Sequence, residues 1–510
     1  MKKRPDENLG GMLASLQKTG RLPMHMPGHK RNDVRFPHLS ALSAAQDITE
    51  IDGFDNLHDA EGVLADSMER AAALWGADRS FYLVNGSSGG VLAGIRAMTR
   101  RGDAVLVTRA AHKSVYHAME LCGLRPVFLQ PPEAKACGFL GSVSPDAVSA
   151  ALQEHPEVRL VILTSPTYEG VISDIAAIAK ITRAAGIPLF VDEAHGAHLS
   201  LSPAFPGGAV SAGADVVVQS LHKTLPSLTQ TAILHVRGDL VDAGRLAHQL
   251  AVFQTSSPSY LFLSSMDGCV RQIADEPSLF DDWAAAIDRF DAAVSDLRRL
   301  RIPFHDGRFT KDSAVFAYDR SKIWICTTGT SMTGASLAAA LRVRGIEPEM
   351  ITADGVLCMT GMGDTEKTLL RLAEALLEID AGCRAGEYDP LPPLPAGLPT
   401  LTVLPETALE LPWESVPLAD AVGRVSAEYV WAYPPGIPLL IPGETITEDF
   451  TRYAAASASR VELHGTRGGM PREIAVLRGK SEENPAFFAR MLDIFLRMVY
   501  NTTNCKSIYI

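Results

Sequence analysis

The sequence predicts an α/β fold with a mostly parallel sheet. Short apolar runs rich in β-branched residues alternate with helical stretches between about residues 60 and 285, which is typical of parallel strands covered on both faces by helices. A long amphipathic helix from about residue 286 then begins a smaller α+β unit. The predicted strands are Ser80–Val84, Ala104–Thr108, Pro126–Leu129, Leu160–Thr164, Pro188–Val191 and Val216–Gln219 in the larger part, and Ala314–Tyr318 and Lys322–Cys326 in the smaller part.

Changes of composition divide the chain into four parts. Pro23, Pro27 and Pro37 interrupt the first segment, which we interpret as an N-terminal arm over residues 1–45. The alternating pattern predicts a large domain over 46–285, followed by a small α+β domain over 286–390. Five prolines among the eleven residues Asp389–Pro399 indicate a semi-rigid connector. Residues 391–510 would form a C-terminal α+β domain.

Composition limits the classes of function. The 510 residues carry a formal net charge of −12, which argues against a nucleic-acid-binding surface, because such a surface needs clustered positive charge. Seven cysteines form no CxxC pair, which predicts reduced thiols and excludes a structural zinc ribbon. There is no secretory signal pattern and no apolar run long enough to span a membrane. We therefore expect a cytoplasmic protein.

Two residues with useful chemistry follow predicted strands. Lys223 comes shortly after Val216–Gln219, and ligands bind at the carboxyl edge of α/β sheets. Burial there would lower the pKa of the lysine and make its amine a nucleophile, although most isolated lysines are surface residues. Asp192 follows Pro188–Val191. An acid in this place can pair with a protonated ring nitrogen of a cofactor, although alone it would more often cap a helix or bind a metal.

Two further strand ends complete a set of four. The segment Asn85–Gly90 (NGSSGG) opens a helix, so that its backbone N–H groups, its hydroxyls and the helix dipole form an anion cradle. Alone it is a weak motif, since it is neither a Walker loop nor GxGxxG. His112 follows Ala104–Thr108 and could stack on a flat ring, although a lone histidine is more often structural. A cradle, a stacking ring, an acid and a lysine together indicate a pyridoxal phosphate site.

Eight stretches of the sequence resemble motifs of one enzyme family. They are HMPGHKR (25–31), ITEIDGFDNLHDAEG (48–62), LVNGSSGG (83–90), AHKS (111–114), VDEAHGAH (191–198), SLHKTLPSLTQTA (220–232), TSSPSY (255–260) and AYPPGIPLLIPGE (432–444). The chain is similar to fold-type I pyridoxal-phosphate enzymes, and specifically to the shorter Orn/Lys/Arg decarboxylases, which lack an N-terminal wing domain. The resemblance implies an aspartate aminotransferase-like large domain and a homodimer with shared active sites. Gly89 stands where relatives often have Thr or Ser, so one phosphate contact would differ.

The resemblance also implies a role for each matching residue. Lys223 would hold the cofactor covalently, Asp192 would contact the pyridine nitrogen, and His112 and Ala194 would pack on opposite faces of the ring. The residues implied as phosphate ligands are Ser87, Ser88, Ser220 and His222, with Ser256 and Ser257 reaching the phosphate of the neighbouring subunit. Glu444, in the C-terminal PGE motif, would approach the distal cationic group of the substrate.

The implied activity is the decarboxylation of a basic L-amino acid. Resemblance to the short members favours arginine, which would give agmatine and CO2, with lysine and ornithine as alternatives. Lys223 or His222 would then return a proton to Cα. A cationic substrate needs an acid in its pocket, because an unpaired buried charge is costly. Asp52 and Asp55 are weaker candidates than Glu444, since capping or loop solvation explains them equally well.

Three other interpretations stay open. An aminotransferase or aldolase on the same fold would share the lysine, the acid and the cradle, although the C-terminal motifs favour a decarboxylase. A metallohydrolase could use Asp192, His195 and His198, but their spacing is not HExxH and no further ligand is evident, so we expect no metal. A pyridoxal-binding regulator without activity is the third, although such proteins usually lose the lysine or the acid.

Overall fold

The structure, a computed structural model, describes residues 20, 22–24, 30, 32, 34–36, 55–134, 138–307, 311–386, 397–433, 437–458 and 461–479. Most of the predicted arm, Asp52, most of the proline-rich connector and the tail from residue 480 lie outside these residues. The helices are α1 (Val63–Trp75), α2 (Gly86–Met98), α3 (Lys113–Cys122), α4 (Pro145–Glu154), α5 (Ile175–Ala184), α6 (Ala209–Ala212), α7 (Leu221–Thr224), α8 (Ala243–Phe253), α9 (Tyr260–Asp275), α10 (Ser278–Val294), α11 (Gly334–Val343), α12 (Glu366–Gly382), α13 (Pro405–Glu410) and α14 (Glu448–Ser457). The strands are β1 (Leu22–Met24), β2 (Arg79–Leu83), β3 (Ala104–Thr108), β4 (Arg125–Leu129), β5 (Glu133–Ala134), β6 (Phe139–Leu140), β7 (Val158–Thr164), β8 (Val171–Ile172), β9 (Leu189–Asp192), β10 (Val216–Ser220), β11 (Ala232–Val236), β12 (Ala317–Tyr318), β13 (Lys322–Cys326), β14 (Ile346–Pro348), β15 (Met350–Ile351), β16 (Gly355–Met359), β17 (Trp413–Pro417), β18 (Val430–Tyr433), β19 (Ile437–Leu440), β20 (Glu462–Gly465) and β21 (Glu473–Leu477).

A seven-stranded sheet forms the centre of the large part, in the order β2-β11-β10-β9-β7-β3-β4. The strands from β10 to β4 run parallel, which confirms the predicted mostly parallel sheet. The sequence pattern did not predict β11, which lies between β2 and β10 and runs antiparallel to both. A five-residue apolar run carries too little periodicity to be assigned from sequence alone.

The two faces of this sheet pack against different helical layers. In β7, Leu160 and Ile162 join a buried cluster with residues of α2, α3 and α8, whereas Val161 and Leu163 join another with residues of α4 and α5. Strand side chains alternate between faces, so a strand covered on both sides is a continuous apolar run. Gly90 lets α2 press onto the sheet, since a Cβ there would come within 2.5 Å of a β2 side chain.

A smaller unit is built on the antiparallel sheet β13-β16-β15. The predicted strand Lys322–Cys326 is confirmed as β13, and the unit also contains helices α11 and α12. The long amphipathic helix α10 begins at Ser278 rather than near residue 286, because Leu279 and Phe280 already continue its buried face. The predicted boundary at 285/286 therefore falls inside a helix, and the four predicted domain ranges stay predictions.

The last unit contains β18 between β19 and β20, and the separate pair β17-β21. Its core includes Phe450 of α14, whose N–H donates to the side chain of the capping residue Thr447. Within the part of the chain that the structure describes, no helix is long and apolar enough to cross a membrane.

Candidate active site

The carboxyl edge of the central sheet brings together residues that are far apart in the sequence. Asp192 ends β9 and Ser220 ends the parallel neighbour β10. Ser220 Oγ lies 3.0 Å from Oγ of Ser87 in the first turn of α2. His112 caps α3, which follows β3, and its electrostatic neighbours include Lys223. All four predicted strand ends thus converge on one site.

Lys223 lies in the single turn α7, directly after β10. Its Nζ is 2.8 Å from Nε2 of His195. Burial lowers the pKa of Lys223 to about 8, although the carboxylates of Asp192 and Glu349 raise it in part. A larger fraction of this amine is therefore neutral than in an exposed lysine, and the neutral amine is the nucleophile.

His195 belongs to this site, although the sequence motifs suggested it only as a metal ligand. The ring of Tyr168 lies 4.5 Å from its ring, centroid to centroid. Burial, with a further effect of Lys223, holds the pKa of His195 well below its usual value, so Nε2 can accept a hydrogen bond from the Lys223 ammonium. One signal in the sequence could have identified His195. It lies three residues after Asp192, across a turn that returns the chain to the strand end.

Asp192 is buried, with 4% of its surface exposed. Its Oδ1 accepts a hydrogen bond from the N–H of Ala194 at 3.2 Å. Burial raises the pKa of Asp192, and Lys223 lowers it in part. Thr164 is the register partner of Asp192 on the adjacent strand β7, and its buried Oγ1 has no hydrogen-bond partner, as is also true of Nδ1 of His195. Because buried polar groups are normally satisfied, these are atoms that a polar ligand would satisfy.

The N-terminus of α2 forms the predicted anion cradle. Asn85 caps the helix without a side-chain hydrogen bond to it. Gly86 has a φ of 69°, a left-handed conformation that suits glycine, and its N–H donates to the carbonyl of Gln230 at 2.9 Å. Ser87 is joined to Ser220, whereas Ser88 is exposed. A helix N-terminus flanked by hydroxyls is suited to a phosphate.

The histidines His112 and His222 are both neutral at pH 7. Burial lowers the pKa of each to about 4, and the charge of Lys223 contributes to the lowering. The Nδ1 of His112 lies 2.8 Å from Oγ of Ser114. The Nδ1 of His222 donates to the carbonyl of Thr231 at 2.8 Å, since a carbonyl can only accept. Neutral rings suit stacking, and they are poor proton donors.

Ser256 and Ser257 lie on the segment between α8 and α9, and both are exposed. The neighbouring carbonyl of Thr255 is 2.9 Å from Nε2 of His58, which ties this segment to the loop before α1. Their predicted contact with the phosphate of a neighbouring subunit involves a second chain and stays a prediction.

Asp55 is a capping residue, as one of the two interpretations predicts. Its carboxylate accepts four backbone N–H groups in the segment 56–64 at 2.8 to 3.0 Å, and its own carbonyl accepts the Tyr260 hydroxyl at 2.5 Å. These bonds order the loop before α1 and connect it to α9. Its oxygens are therefore engaged by the backbone rather than directed at a substrate.

Glu444 is fully buried and bound by an arginine that follows β3. Nη1 and Nη2 of Arg109 donate to its two carboxylate oxygens at 2.7 and 2.9 Å, and the N–H of Ile441 donates to Oε2 at 2.9 Å. The resemblance predicts Glu444 as a substrate acid, but the structure gives its charge a partner inside the chain. Its role in substrate binding stays a prediction.

The two histidines of DEAHGAH contact different partners. His195 meets Lys223, whereas Nε2 of His198 lies 3.1 Å from Asp319 and its Nδ1 lies 3.2 Å from Oγ1 of Thr224. No group of three His, Cys, Asp or Glu side chains among the described residues could hold a metal ion. The arrangement of these side chains does not support the metallohydrolase alternative.

The site as a whole fits a flat, anionic, nitrogen-containing ring. Asp192 provides a buried acid, Lys223 a nucleophilic amine, and the start of α2 an anion cradle. Thr164 is paired in register with Asp192, and His195 contacts Lys223; a polar ligand at the site could satisfy their unpartnered atoms.

Comparison with known proteins identifies close sequence relatives. The family model described as Orn/Lys/Arg decarboxylase, major domain, matches residues 10–300, and the C-terminal domain of the same family matches residues 400–463. An arginine decarboxylase from Halalkalibacterium halodurans is 33% identical over 442 residues, which cover 84% of this chain and 89% of that protein. An arginine decarboxylase from Bacillus subtilis is 32% identical over 442 residues, with the same coverage of 84% and 89%.

The fold agrees with that of solved structures. The lysine decarboxylase LdcF from Francisella novicida superposes with a TM-score of 0.70 at 18% identity, over 92% of this chain and 84% of that chain. The predicted fold class, that of the fold-type I enzymes, is confirmed. The sequence match over most of its length shows that this chain belongs to the Orn/Lys/Arg decarboxylase family.

Proposed function

We propose that this protein is a pyridoxal-phosphate-dependent decarboxylase that converts L-arginine to agmatine and CO2. The observation that carries the proposal is the convergence of Lys223, Asp192 and the Ser87–Ser220 pair on one sheet edge. Arginine is favoured because the two relatives compared above, each about a third identical to the chain, are arginine decarboxylases. Lysine and ornithine are the alternative substrates.

The chain's own residues would bind and orient the cofactor. Pyridoxal phosphate, when bound, supplies a protonated ring that accepts the electrons of the breaking Cα–carboxylate bond. Asp192 would keep the ring nitrogen protonated, because a buried carboxylate stabilises an adjacent cation. Ser87, Ser88 and Ser220 would hold the phosphate at the start of α2, while His112 and Ala194 would pack on the two faces of the ring.

Lys223 would act twice. Its amine would hold the cofactor covalently, and its protonated form would return a proton to Cα after CO2 loss. His222 is the weaker donor, because burial keeps it neutral and its Nδ1–H is already bonded to Thr231. The contact with His195, at 2.8 Å, would help to keep Nζ of Lys223 near the strand ends.

The test is a substrate panel of L-arginine, L-lysine and L-ornithine with the purified holoenzyme. Mass spectrometry should identify agmatine from arginine, with release of one equivalent of CO2. Formation of a keto acid without release of CO2 would show that the enzyme is an aminotransferase rather than a decarboxylase. A protein that binds the cofactor but leaves all three amino acids unchanged would instead be a regulator.

The shared dimer can be tested by complementation. We propose a cytoplasmic homodimer, active in polyamine biosynthesis, in which Ser256 and Ser257 reach the partner's phosphate. Their exposure on a segment anchored through Thr255 supports this arrangement. Chains with Lys223→Ala and chains with Ser256→Ala plus Ser257→Ala should regain activity on mixing, because half of the mixed dimers' sites are intact. Failure to regain activity, with mixed dimers present, would contradict shared sites.

A further inference from the structure

A buried ionic network lies directly behind the contact between Lys223 and His195. Nζ of Lys322, the first residue of β13, donates to Oδ2 of Asp319 at 3.0 Å and to Oγ of Ser321 at 2.9 Å. The side chains of Lys322 and Asp319 are both fully shielded from solvent. Desolvation offsets much of the attraction in such a pair, so that stability alone is a weak explanation for it.

One branch of the network reaches His195. Nζ of Lys322 also donates to the backbone carbonyl of His195 at 3.3 Å. This fixes the peptide group that carries the imidazole in contact with Lys223. Gly170 allows the approach, since a Cβ there would come within 2.9 Å of the Lys322 side chain.

The other branch reaches the residue after Lys223. Asp319 Oδ1 accepts from Nε2–H of His198 at 3.1 Å, because Lys322 and His198 hold the pKa of this carboxyl well below its usual range. The Nδ1 of His198 then accepts from the hydroxyl of Thr224 at 3.2 Å. The carbonyl of Thr224 is held in turn by the N–H of Met362 at 3.0 Å. Hydrogen bonds from the smaller unit therefore hold both α7 and the turn after β9 in place.

We propose that Asp319 and Lys322 are positioning residues that hold the Lys223 amine against His195 and set its charge. This inference rests on the proposed role of Lys223. Among the residues that the structure describes, the charged groups that face Lys223 are Asp192 from β9, Glu349 between β14 and β15, and Lys322 from β13, with neutral His195 and His112 beside it. Lys322 is the cation of this set, so its presence favours the neutral amine.

The test measures the pKa of Lys223 in full-length protein freed of cofactor. An amine-reactive reagent is applied across a pH series, and labelling of the Lys223 peptide is followed by mass spectrometry. In Lys322→Met, the pKa of Lys223 should rise by about one unit, so that labelling below that pKa slows roughly tenfold. If Lys322→Met does not fold, the double variant Lys322→Met plus Asp319→Asn removes both charges without leaving one buried alone, and it should give the same direction.

Asp380→Asn is the matched control. Asp380 is a buried carboxylate of the same unit whose oxygens accept the backbone N–H groups of Arg298, Arg299 and Leu300. The Asp380→Asn variant should lower the free energy of unfolding without changing the pKa of Lys223. The proposal is overturned if, in a folded Lys322 variant, the Lys223 peptide is labelled with the same pH dependence as in the wild-type protein. It is also overturned if Asp380→Asn shifts the pKa of Lys223 by the same amount. Because no substrate is present, this result is independent of which reaction the enzyme catalyses.

Discussion

Arg109 and Glu444, 335 positions apart in the chain, form a buried bidentate ion pair between the end of β3 and the C-terminal unit. The hydroxyl of Tyr116 donates to the backbone carbonyl of Arg109 at 2.6 Å. The guanidinium of Arg109 lies 4.9 Å from the centre of the Phe128 ring. The arginine is thus held from three directions. The pair fastens the C-terminal unit to the sheet edge that carries the candidate site.

Removing either partner should destabilise the protein strongly. Arg109→Met and Glu444→Gln are each expected to lower the free energy of unfolding by about 3–5 kcal/mol, because each leaves a buried group without its partner. The double variant should lose less than the sum. Urea unfolding measures the free energy of unfolding of each variant. The exposed pair Arg452–Asp449 is the control, and its removal should lower that free energy by less than about 1 kcal/mol. Unchanged stability with a raised KM for arginine in Glu444→Gln would instead make Glu444 a substrate acid.

The rate at which cofactor-free protein rebinds pyridoxal phosphate should depend on pH through Lys223. Burial lowers the pKa of Lys223 from 10.5 to about 8, and only the neutral amine attacks. The rate should therefore rise with pH up to about 8 and level off above it. Stopped-flow absorbance of the bound cofactor measures the rate. A rate that still climbs roughly tenfold per pH unit above 9 would be that of an ordinary exposed lysine.

Loss of the Lys223 amine should abolish both proposed tasks. Lys223→Ala is expected to lose the yellow colour of the covalently bound cofactor and to lower kcat by at least roughly 10²–10⁴-fold, the usual contribution of one proton-transferring group. Lys180→Ala, at an exposed position of α5, is the control and should retain both. Normal decarboxylation by Lys223→Ala would reject the mechanism.

The contact of His195 with Lys223 can be removed while a ring is kept. His195→Phe should lower the pKa of Lys223, because the ammonium loses its hydrogen-bond acceptor. Labelling of the Lys223 peptide across pH reports the change. Tyr168→Phe removes a hydroxyl that donates to Glu349 at 2.5 Å and keeps the ring beside His195, so it should change this pKa less. If both variants changed the pKa of Lys223 equally, the change would be due to altered packing rather than to the loss of the hydrogen bond with His195.

Asp55 should matter for stability rather than for substrate choice. Asp55→Ala is expected to lower the free energy of unfolding by about 1–2 kcal/mol, the usual effect of losing a helix-capping side chain. KM for arginine should stay unchanged, because the carboxylate is directed at its own loop. Asp59→Ala, at an exposed position of the same loop, is the control. A selective rise of KM in Asp55→Ala would restore Asp55 as a substrate acid.

The parallel strands and the four strand-end residues could be predicted because both depend on local pattern. Buried parallel strands are continuous apolar runs, and the chain leaves each of them at the same edge of the sheet. The antiparallel strand β11 could not be predicted, and it matters for the site. The segment just before it supplies the carbonyls of Gln230 and Thr231 that bind Gly86 and His222.

The sequence by itself determined the fold class, the family and the positions of Lys223, Asp192, His112 and the cradle. Only the tertiary structure decided which group each charge meets. It placed His195 against Lys223, Arg109 against Glu444, and the Lys322–Asp319 pair behind Lys223. The physical reason is that burial makes every such charge require a partner. Which partner it finds depends on how strands and units distant in sequence pack together.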